Sequence, residues 1–147
     1  YSFKKWDFTI GYQHPFNANN NQYLPIPLLE NQDNYNNYFV ANGLKRADDG
    51  IFRINRVFSY KKLNITPGLL FIYHLTEDVI TDANGNRVKV DGSQGLTVNA
   101  NLAGSVTVSN KMDFLYIIGA PFIDRQSHPD GLDRKLVAII GIRYSIY

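Results

Sequence analysis

Apolar and polar residues alternate with a period of two along most of this chain, and the helical period of 3.6 is nearly absent. From Trp6 one parity reads Trp6, Phe8, Ile10, Tyr12 and the other Asp7, Thr9, Gly11, Gln13. From Leu63 the apolar parity is Leu63, Ile65, Pro67, Leu69, Phe71, Tyr73, Leu75, against Asn64, Thr66, Gly68, Leu70, Ile72, His74. From Leu96 it is Leu96, Val98, Ala100, Leu102, Gly104, Val106, Val108, against Thr97, Asn99, Asn101, Ala103, Ser105, Thr107. Met112 to Phe122 and Leu136 to Ile146 continue the pattern, and so does Ile51 to Tyr60, where Arg56 interrupts the apolar face. Six strands are predicted, over 6–13, 51–60, 63–75, 96–108, 112–122 and 135–147.

Two kinds of connection separate them. The long kind is polar and covers 14–50, 76–95 and 123–135. The short kind recurs as a repeat: Tyr1-Ser2-Phe3-Lys4-Lys5-Trp6-Asp7-Phe8-Thr9-Ile10-Gly11 parallels Phe58-Ser59-Tyr60-Lys61-Lys62-Leu63-Asn64-Ile65-Thr66-Pro67-Gly68. Val108-Ser109-Asn110-Lys111-Met112-Asp113-Phe114 is a looser copy. Each copy reads strand end, tight basic turn, apolar residue, Asp or Asn, then an aromatic or Ile. Tyr1-Ser2-Phe3 thus holds the place of a strand end, and the chain is expected to be the C-terminal part of a larger protein. Within 14–50, residues 38–46 are expected to add extended structure, since a structureless loop of that length is unusual. Within 76–95, Val79-Ile80-Thr81 and Arg87-Val88-Lys89-Val90 flank Asp82-Ala83-Asn84-Gly85-Asn86, which predicts a β-hairpin.

Composition narrows what such strands can be. The 147 residues include no cysteine, so there is no disulfide framework and no thiol chemistry. Fifteen basic against thirteen acidic residues leave a formal charge of +2, too little for a nucleic-acid surface. Aromatics make up 14% and charged residues 19%, which excludes a disordered chain. No stretch is long and apolar enough for a membrane-spanning helix.

Two β architectures fit. In a soluble sandwich or ligand-binding barrel the apolar face points inward. In an outer-membrane barrel it points to lipid and the polar parity lines the interior. Four features favour the second. Several strands reach 11–14 residues, against about 5–6 in soluble sheets. Short turns and long loops alternate, as they do on the two sides of a membrane barrel. Aromatics of the apolar parity gather near the strand ends, with Trp6, Phe8, Phe58, Tyr60, Phe114 and Tyr144 toward the short turns and Tyr12, Phe71, Tyr73 and Phe122 toward the long loops, like two interfacial girdles. Finally, Gly141-Ile142-Arg143-Tyr144-Ser145-Ile146-Tyr147 resembles the C-terminal assembly signal of bacterial outer-membrane β-barrels. Gly141, Tyr144 and Ile146 fit it, while Ile139 stands where that pattern prefers a polar residue and Tyr147 extends it by one.

The resemblance implies an antiparallel transmembrane β-barrel in the outer membrane of a Gram-negative bacterium, with this chain supplying about six C-terminal strands. It implies outer-membrane lipid and the barrel assembly machinery as partners, other envelope proteins on the long loops, and no nucleic acid. The short basic turns would then face the periplasm. The lumen face would carry Asp7, Asn55, Ser59, Asn64, Asp113 and Arg143 near the short turns, with Arg53 higher and Asn99 and Asn101 in a wetter sector. Leu70, Ile72, Leu115, Ile117, Val137 and Ile139 would make its middle and upper part apolar. Arg143 is expected to pair with Asp113 or Asp7, since an unpaired charge in a low-dielectric lumen is costly.

Other chemistry is thin. His14, His74 and His128 all fall toward the loop side and are the candidates for a shared metal, but no two have ligand spacing. Asp82 to Asn86 faintly resembles a calcium loop, yet position 12 from Asp82 is Ser93 where a bidentate Glu is needed. Ser127 and His128 neighbour Asp124 and Asp130 without a nucleophile elbow. No cofactor and no enzymatic activity are predicted. Passive transport of small or hydrophobic solutes is the expected function. The alternatives are a non-transporting structural barrel in an envelope complex and a soluble ligand-binding barrel.

Overall fold

The structure is a computed structural model that describes residues 2–3, 5–20, 42–82, 84–129 and 135–146. Ten strands follow in order: β1 (Ser2–Phe3), β2 (Trp6–Gln13), β3 (Asp49–Arg56), β4 (Phe58–Tyr60), β5 (Leu63–His74), β6 (Val79–Thr81), β7 (Arg87–Lys89), β8 (Gly95–Ser109), β9 (Met112–Ile123) and β10 (Val137–Tyr144). All pairings are antiparallel, and no helix occurs among the described residues. Eight strands form one sheet in the order β1-β2-β3-β5-β8-β9-β10, with β4 also on β5, and β6 and β7 form a separate hairpin. Among the described residues β1 pairs only with β2 and β10 only with β9, so the sheet is open rather than closed into a barrel.

Register brings the apolar parity of every long strand to one face. Reading across the sheet, one row is Tyr12, Gly50, Tyr73, Leu96, and the next is Ile10, Phe52, Phe71, Val98, Ile123. Further toward the short turns run Phe8, Ile54, Leu69, Ala100, Ala120 and then Phe58, Ile65, Gly104, Tyr116, Ile140. The last full row is Tyr60, Leu63, Val106, Phe114, Ile142. A single one-residue slip would move a whole strand's apolar set to the other face, so this agreement across the sheet is specific.

That face is not covered. Only Leu44, Ala47, Val90 and Val98 are buried hydrophobic residues among those described, whereas twenty-four large hydrophobics are exposed. Ile10 is 84% exposed, and Ile140, Ile142 and Tyr144 stand out from β10. Three of the four buried apolar residues lie outside the large sheet, in a small cap at the loop end. There Lys45 bridges to Val79, Asn42 accepts from the Thr81 amide, and Ser127 donates its amide to Gly92.

Three departures from regular alternation have local causes. The run read as one strand over 51–60 is two pieces, β3 and β4, although both keep one register on β5 (Asn55 opposite Gly68, Phe58 opposite Ile65). Arg56 and Val57 at the break therefore stand opposite Pro67 and Thr66, and Pro67 has no N–H to give to the ladder. The Arg56 guanidinium lies over the rings of Trp6 and Phe58, at 5.0 and 4.8 Å from their centroids. This is how the apolar face holds a charge. Register shifts between Val98 and Asn99 and between Thr107 and Ser109 are β-bulges on the β8–β9 pair. The last strand is Val137–Tyr144 rather than 135–147, and one further bond, from the Ser145 amide to Lys111, continues its ladder.

The basic turns repeat in structure as in sequence. Ser2 and Phe3 oppose Asp7 and Trp6 as Ser59 and Tyr60 oppose Asn64 and Leu63. The turns differ in which lysine takes the left-handed region, the second turn residue in one (Lys5 at φ 72°) and the first in the other (Lys61 at φ 52°). At the loop end, Val79–Thr81 and Arg87–Lys89 form the expected hairpin, closed around Gly85 at φ 83°. Of the extended structure expected over 38–46, positions 38–41 lie outside the described residues.

Candidate functional site

The polar face of the sheet carries the candidate site. A cavity of about 540 Å³ is lined by residues of six neighbouring strands, from Gln13 on β2 to Val137 on β10, all on this one face. Side chains so far apart in the sheet meet around one space only if the sheet curves toward them. The polar face is therefore the concave one, and the exposed apolar face is convex.

Register sets the rows of the whole concave face, of which the cavity takes the upper part. Nearest the short turns lie Thr107, Asp113 and Arg143, and then Ser59, Asn64, Ser105, Leu115 and Gly141. Arg143 donates from Nε and Nη2 to Asp113 Oδ2 at 3.1 and 2.6 Å, and Thr107 donates to Asp113 Oδ1 at 2.8 Å. Asn64 donates to Ser105 at 3.3 Å. Above them is the row Asp7, Asn55, Gly68, Asn101, Gly119, Val137. Asn55 is buried and takes a hydrogen bond from Arg53 Nε at 3.2 Å. Its amide occupies the space over Gly68, where a Cβ would come within 2.1 Å of Asn55 Oδ1. Higher rows are Thr9, Arg53, Leu70, Asn99, Pro121 and Gly11, Ile51, Ile72, Thr97.

Of the residues expected to make the middle and upper lumen apolar, Ile117 and Ile139 share a row with Thr66 and Ala103 just below Val137, and Ile72 lies beside Ile51 near the top, while the others are spread through polar rows. Leu115 belongs to a low row beside Asn64 and Ser105, and Leu70 lies between Arg53 and Asn99. The top of the face is charged. Distance along each strand does not give height in the sheet, because the strands are staggered.

At the loop end Asp49 and His74 are direct cross-strand partners, and both are buried. His74, 1% exposed, faces Asp49 through Nδ1 and Asp78 through Nε2, the latter at 3.3 Å. Both contacts have ion-pair distance rather than aligned hydrogen-bond geometry. Asp78 Oδ1 also accepts from the Ala47 amide at 2.8 Å, the Asp78 amide donates to Ser93 Oγ at 2.8 Å, and Arg125 approaches Asp78 Oδ2 at 3.9 Å. Burial pushes the Asp78 carboxyl up, but the close contact of His74, the hydrogen bond from the Ala47 amide and the charge of Arg125 together hold it below the ordinary aspartate range. Arg125 further donates to the Ser93 carbonyl at 2.8 Å, tying the cap to the loop after β9.

The bulge at Val98 adds a second acid to the cavity. Ile123 rather than Phe122 opposes Val98, so Asp124 falls on the concave face. Asp124 accepts from Thr97 Oγ1 at 3.0 Å and from His128 Nε2 at 2.9 Å. Burial raises its pKa, and the bonds from His128 and Thr97 outweigh that and lower it.

The three histidines thus sit on separate carboxylates, His14 and His128 on one each and His74 on two. His74 and His128 line the same cavity, whereas His14 pairs with Asp48 at 2.7 Å outside it. The hydrogen bond from Tyr12 to Asp48, with a further one from His14, lowers the Asp48 pKa. Among the described residues no group of three or more His, Asp or Glu is arranged to hold a metal ion. Around His74 the two acids lie on opposite ring nitrogens and cannot chelate one ion together. In the segment that resembles a calcium loop, Asp82 Oδ1 accepts from the Asn84 and Asn86 amides at 2.9 and 2.7 Å, so its carboxylate closes its own turn. These bonds, the one from Asn86 foremost, lower its pKa. Ser127 Oγ is buried and has no hydrogen-bond partner among the described residues.

Of the terminal pattern, Gly141 lies on the concave face opposite Leu115, Tyr144 on the convex face opposite Met112, and Ile146 is 88% exposed beyond the strand. Tyr147 lies outside the described residues. Asp49, Asp78, Arg46 and Arg125 escaped the sequence reading, and Asp124 entered it only as a chain neighbour of Ser127 and His128. Asp49 carried a usable signal, an acid at the start of an inward-facing parity, whereas Asp124 reaches the cavity only through a bulge. Comparison with protein-family models, with curated proteins and with solved structures finds no match to this chain.

Proposed function

We propose that this chain forms part of the wall of an outer-membrane β-barrel whose concave face lines a passage for small solutes. The observation that carries the reading is the uncovered convex face. Register gathers the apolar parity of all the long strands there, aromatic near both strand ends and aliphatic between. A soluble sheet would bury such a face, since contiguous apolar patches beyond a few hundred Å² are rare on monomers. Facing lipid, it needs no partner. Strands beyond the open edges of β1 and β10 would close the barrel, because about eight spanning strands are the natural minimum and this sheet has six long runs, β1 being a two-residue piece and β4 a continuation of β3. The short basic turns would face the periplasm. Gly141, Tyr144, Ile146 and Tyr147 would engage the assembly machinery.

The concave face suits polar or mildly apolar solutes. Its wall alternates Asn, Thr and Asp with Leu and Ile, and all but a few of its charges are paired within it. A second reading, a non-transporting barrel that serves as a platform for envelope partners, draws on the cap. The hydrogen-bonded ion cluster of Asp49, His74, Asp78 and Arg125 fixes loops over the cavity, which suits a docking rim as well as a vestibule.

Reconstitution tests both levels. Trp6 is the sole tryptophan and lies on the convex face near the short turns. In vesicles of phosphatidylcholine with brominated acyl chains its fluorescence should be quenched more by shallow than by deep bromines. No quenching at any depth, with the chain left in the aqueous phase, rejects the membrane reading. Discrete conductance steps in planar bilayers support transport, and an inserted but silent protein supports the platform.

A further inference from the structure

The break between β3 and β4 leaves a notch on the convex face at the short-turn end. Its volume is about 300 Å³, and Lys5, Arg56, Phe58, Tyr60, Leu63 and Ile65 line it. Two observations set it apart from the rest of the apolar face. Cations surround it: Arg56 within, Lys5 above, and Lys61 beside it over the Tyr60 ring at 5.3 Å. Among the described residues no carboxylate pairs with Arg56, Lys5 or Lys61, although Asp and Glu pair with basic groups throughout the loop end.

We propose that this notch binds an anionic phospholipid, with the phosphate on Arg56 and Lys5 and an acyl chain along Leu63 and Ile65. The inference rests on the membrane reading and adds a ligand to it. The complementarity has two halves. A guanidinium lodged against two aromatic rings is restrained and still carries an N–H fork suited to bidentate phosphate contact, and a lysine adds a point charge. The apolar half of the notch continues into the lipid-facing rows, so a headgroup and its chain can be held together. A free phosphate would use only the first half.

The test uses the full chain in detergent, stripped of lipid and then offered dioleoyl phosphatidylglycerol or dioleoyl phosphatidylcholine, with bound lipid counted by native mass spectrometry. Retention of phosphatidylglycerol over phosphatidylcholine is expected. Retention should fall roughly five-fold for each charge removed in Arg56→Gln and Lys5→Gln, and roughly twenty-five-fold for both. Arg56→Lys should recover part of the loss. Lys89→Gln, on the exposed hairpin at the loop end, should change nothing. Circular dichroism on each variant checks that strand content is kept, so a folding loss is not read as a binding loss. Equal retention in wild type and the double variant overturns the proposal, as does an equal loss in Lys89→Gln. Inorganic phosphate binding as tightly as phosphatidylglycerol overturns the lipid assignment. Depth-dependent quenching of Trp6 in the same preparation keeps these failures distinct from failure of the membrane reading itself.

Discussion

Single residues on this sheet are committed by what faces them. Gly104 is the clearest case. A Cβ there would come within 2.4 Å of the Asn64 carbonyl and of the Tyr116 hydroxyl, and 2.5 Å from Tyr116 Cζ. The tyrosine ring covers the glycine, shielding backbone that would otherwise meet solvent or lipid. Gly104→Val should destabilise by about 1–3 kcal/mol, because the carbonyl cannot move aside. Gly50→Ala, where nothing lies within 4 Å, should stay within about 0.5 kcal/mol. Urea unfolding in detergent compares them. Asp78 gives a pH prediction. Its carboxyl titrates below the ordinary value of 3.8 when folded, so its contribution is complete above that value and is lost as pH falls through the depressed one. Protection of the Ala47 amide against hydrogen exchange should decline over that acid window, and Asp78→Asn should remove the decline.

At the scale of the element, parity was legible in the sequence and height was not. Trp6-Phe8-Ile10-Tyr12 and its counterparts declare which side of each strand is apolar, and pairing only aligns them. The hairpin around Asn84-Gly85 and the repeated lysine turns were readable for the same reason, since each is a local preference. The partner of His74 is Asp49, twenty-five positions earlier, and that pairing needs the register of two strands joined across other structure. Asp124 depends on a bulge that alternation cannot announce. The break after Arg56 has a visible cause, Pro67, but only once Pro67 is known to stand opposite it. This yields a test. Pro67→Thr restores the missing donor and should join β3 to β4, adding a slowly exchanging amide at position 67 and closing the notch beside Arg56. Phe122 is the extra residue of that bulge, so a variant that lacks it should restore regular pairing while Ile123 stays opposite Val98 and Asp124 stays on the concave face. The Asp124 bonds with Thr97 and His128 should persist, and heat-resistant electrophoretic mobility should be kept.

The whole molecule divides its stability unevenly. Its water-excluding core is the small cap of Leu44, Ala47, Val90 and the buried ion cluster, while the large sheet keeps its apolar rows on the outside. The sheet therefore depends on what surrounds it, and the cap does not. Moving the protein from detergent micelles to water should cost the sheet its exchange protection first. The amides of Ala47, Asp78 and Val90 should outlast those of Phe8 or Leu69, and nuclear magnetic resonance or mass-resolved exchange would rank them.

In the large sheet every strand neighbours the next long strand of the chain, with only the β6–β7 hairpin set aside. Each pairing joins strands that follow one another along the chain, β4 counting as a continuation of β3. Such a ribbon can be lengthened by copying one hairpin and splicing it in, with every existing pair left as it was. The matching stretches Tyr1 to Gly11 and Phe58 to Gly68, each with its own lysine turn and its own inward Asp or Asn, are what a duplicated hairpin would leave behind. Strand number in this architecture is a quantity that inheritance can change in steps of two.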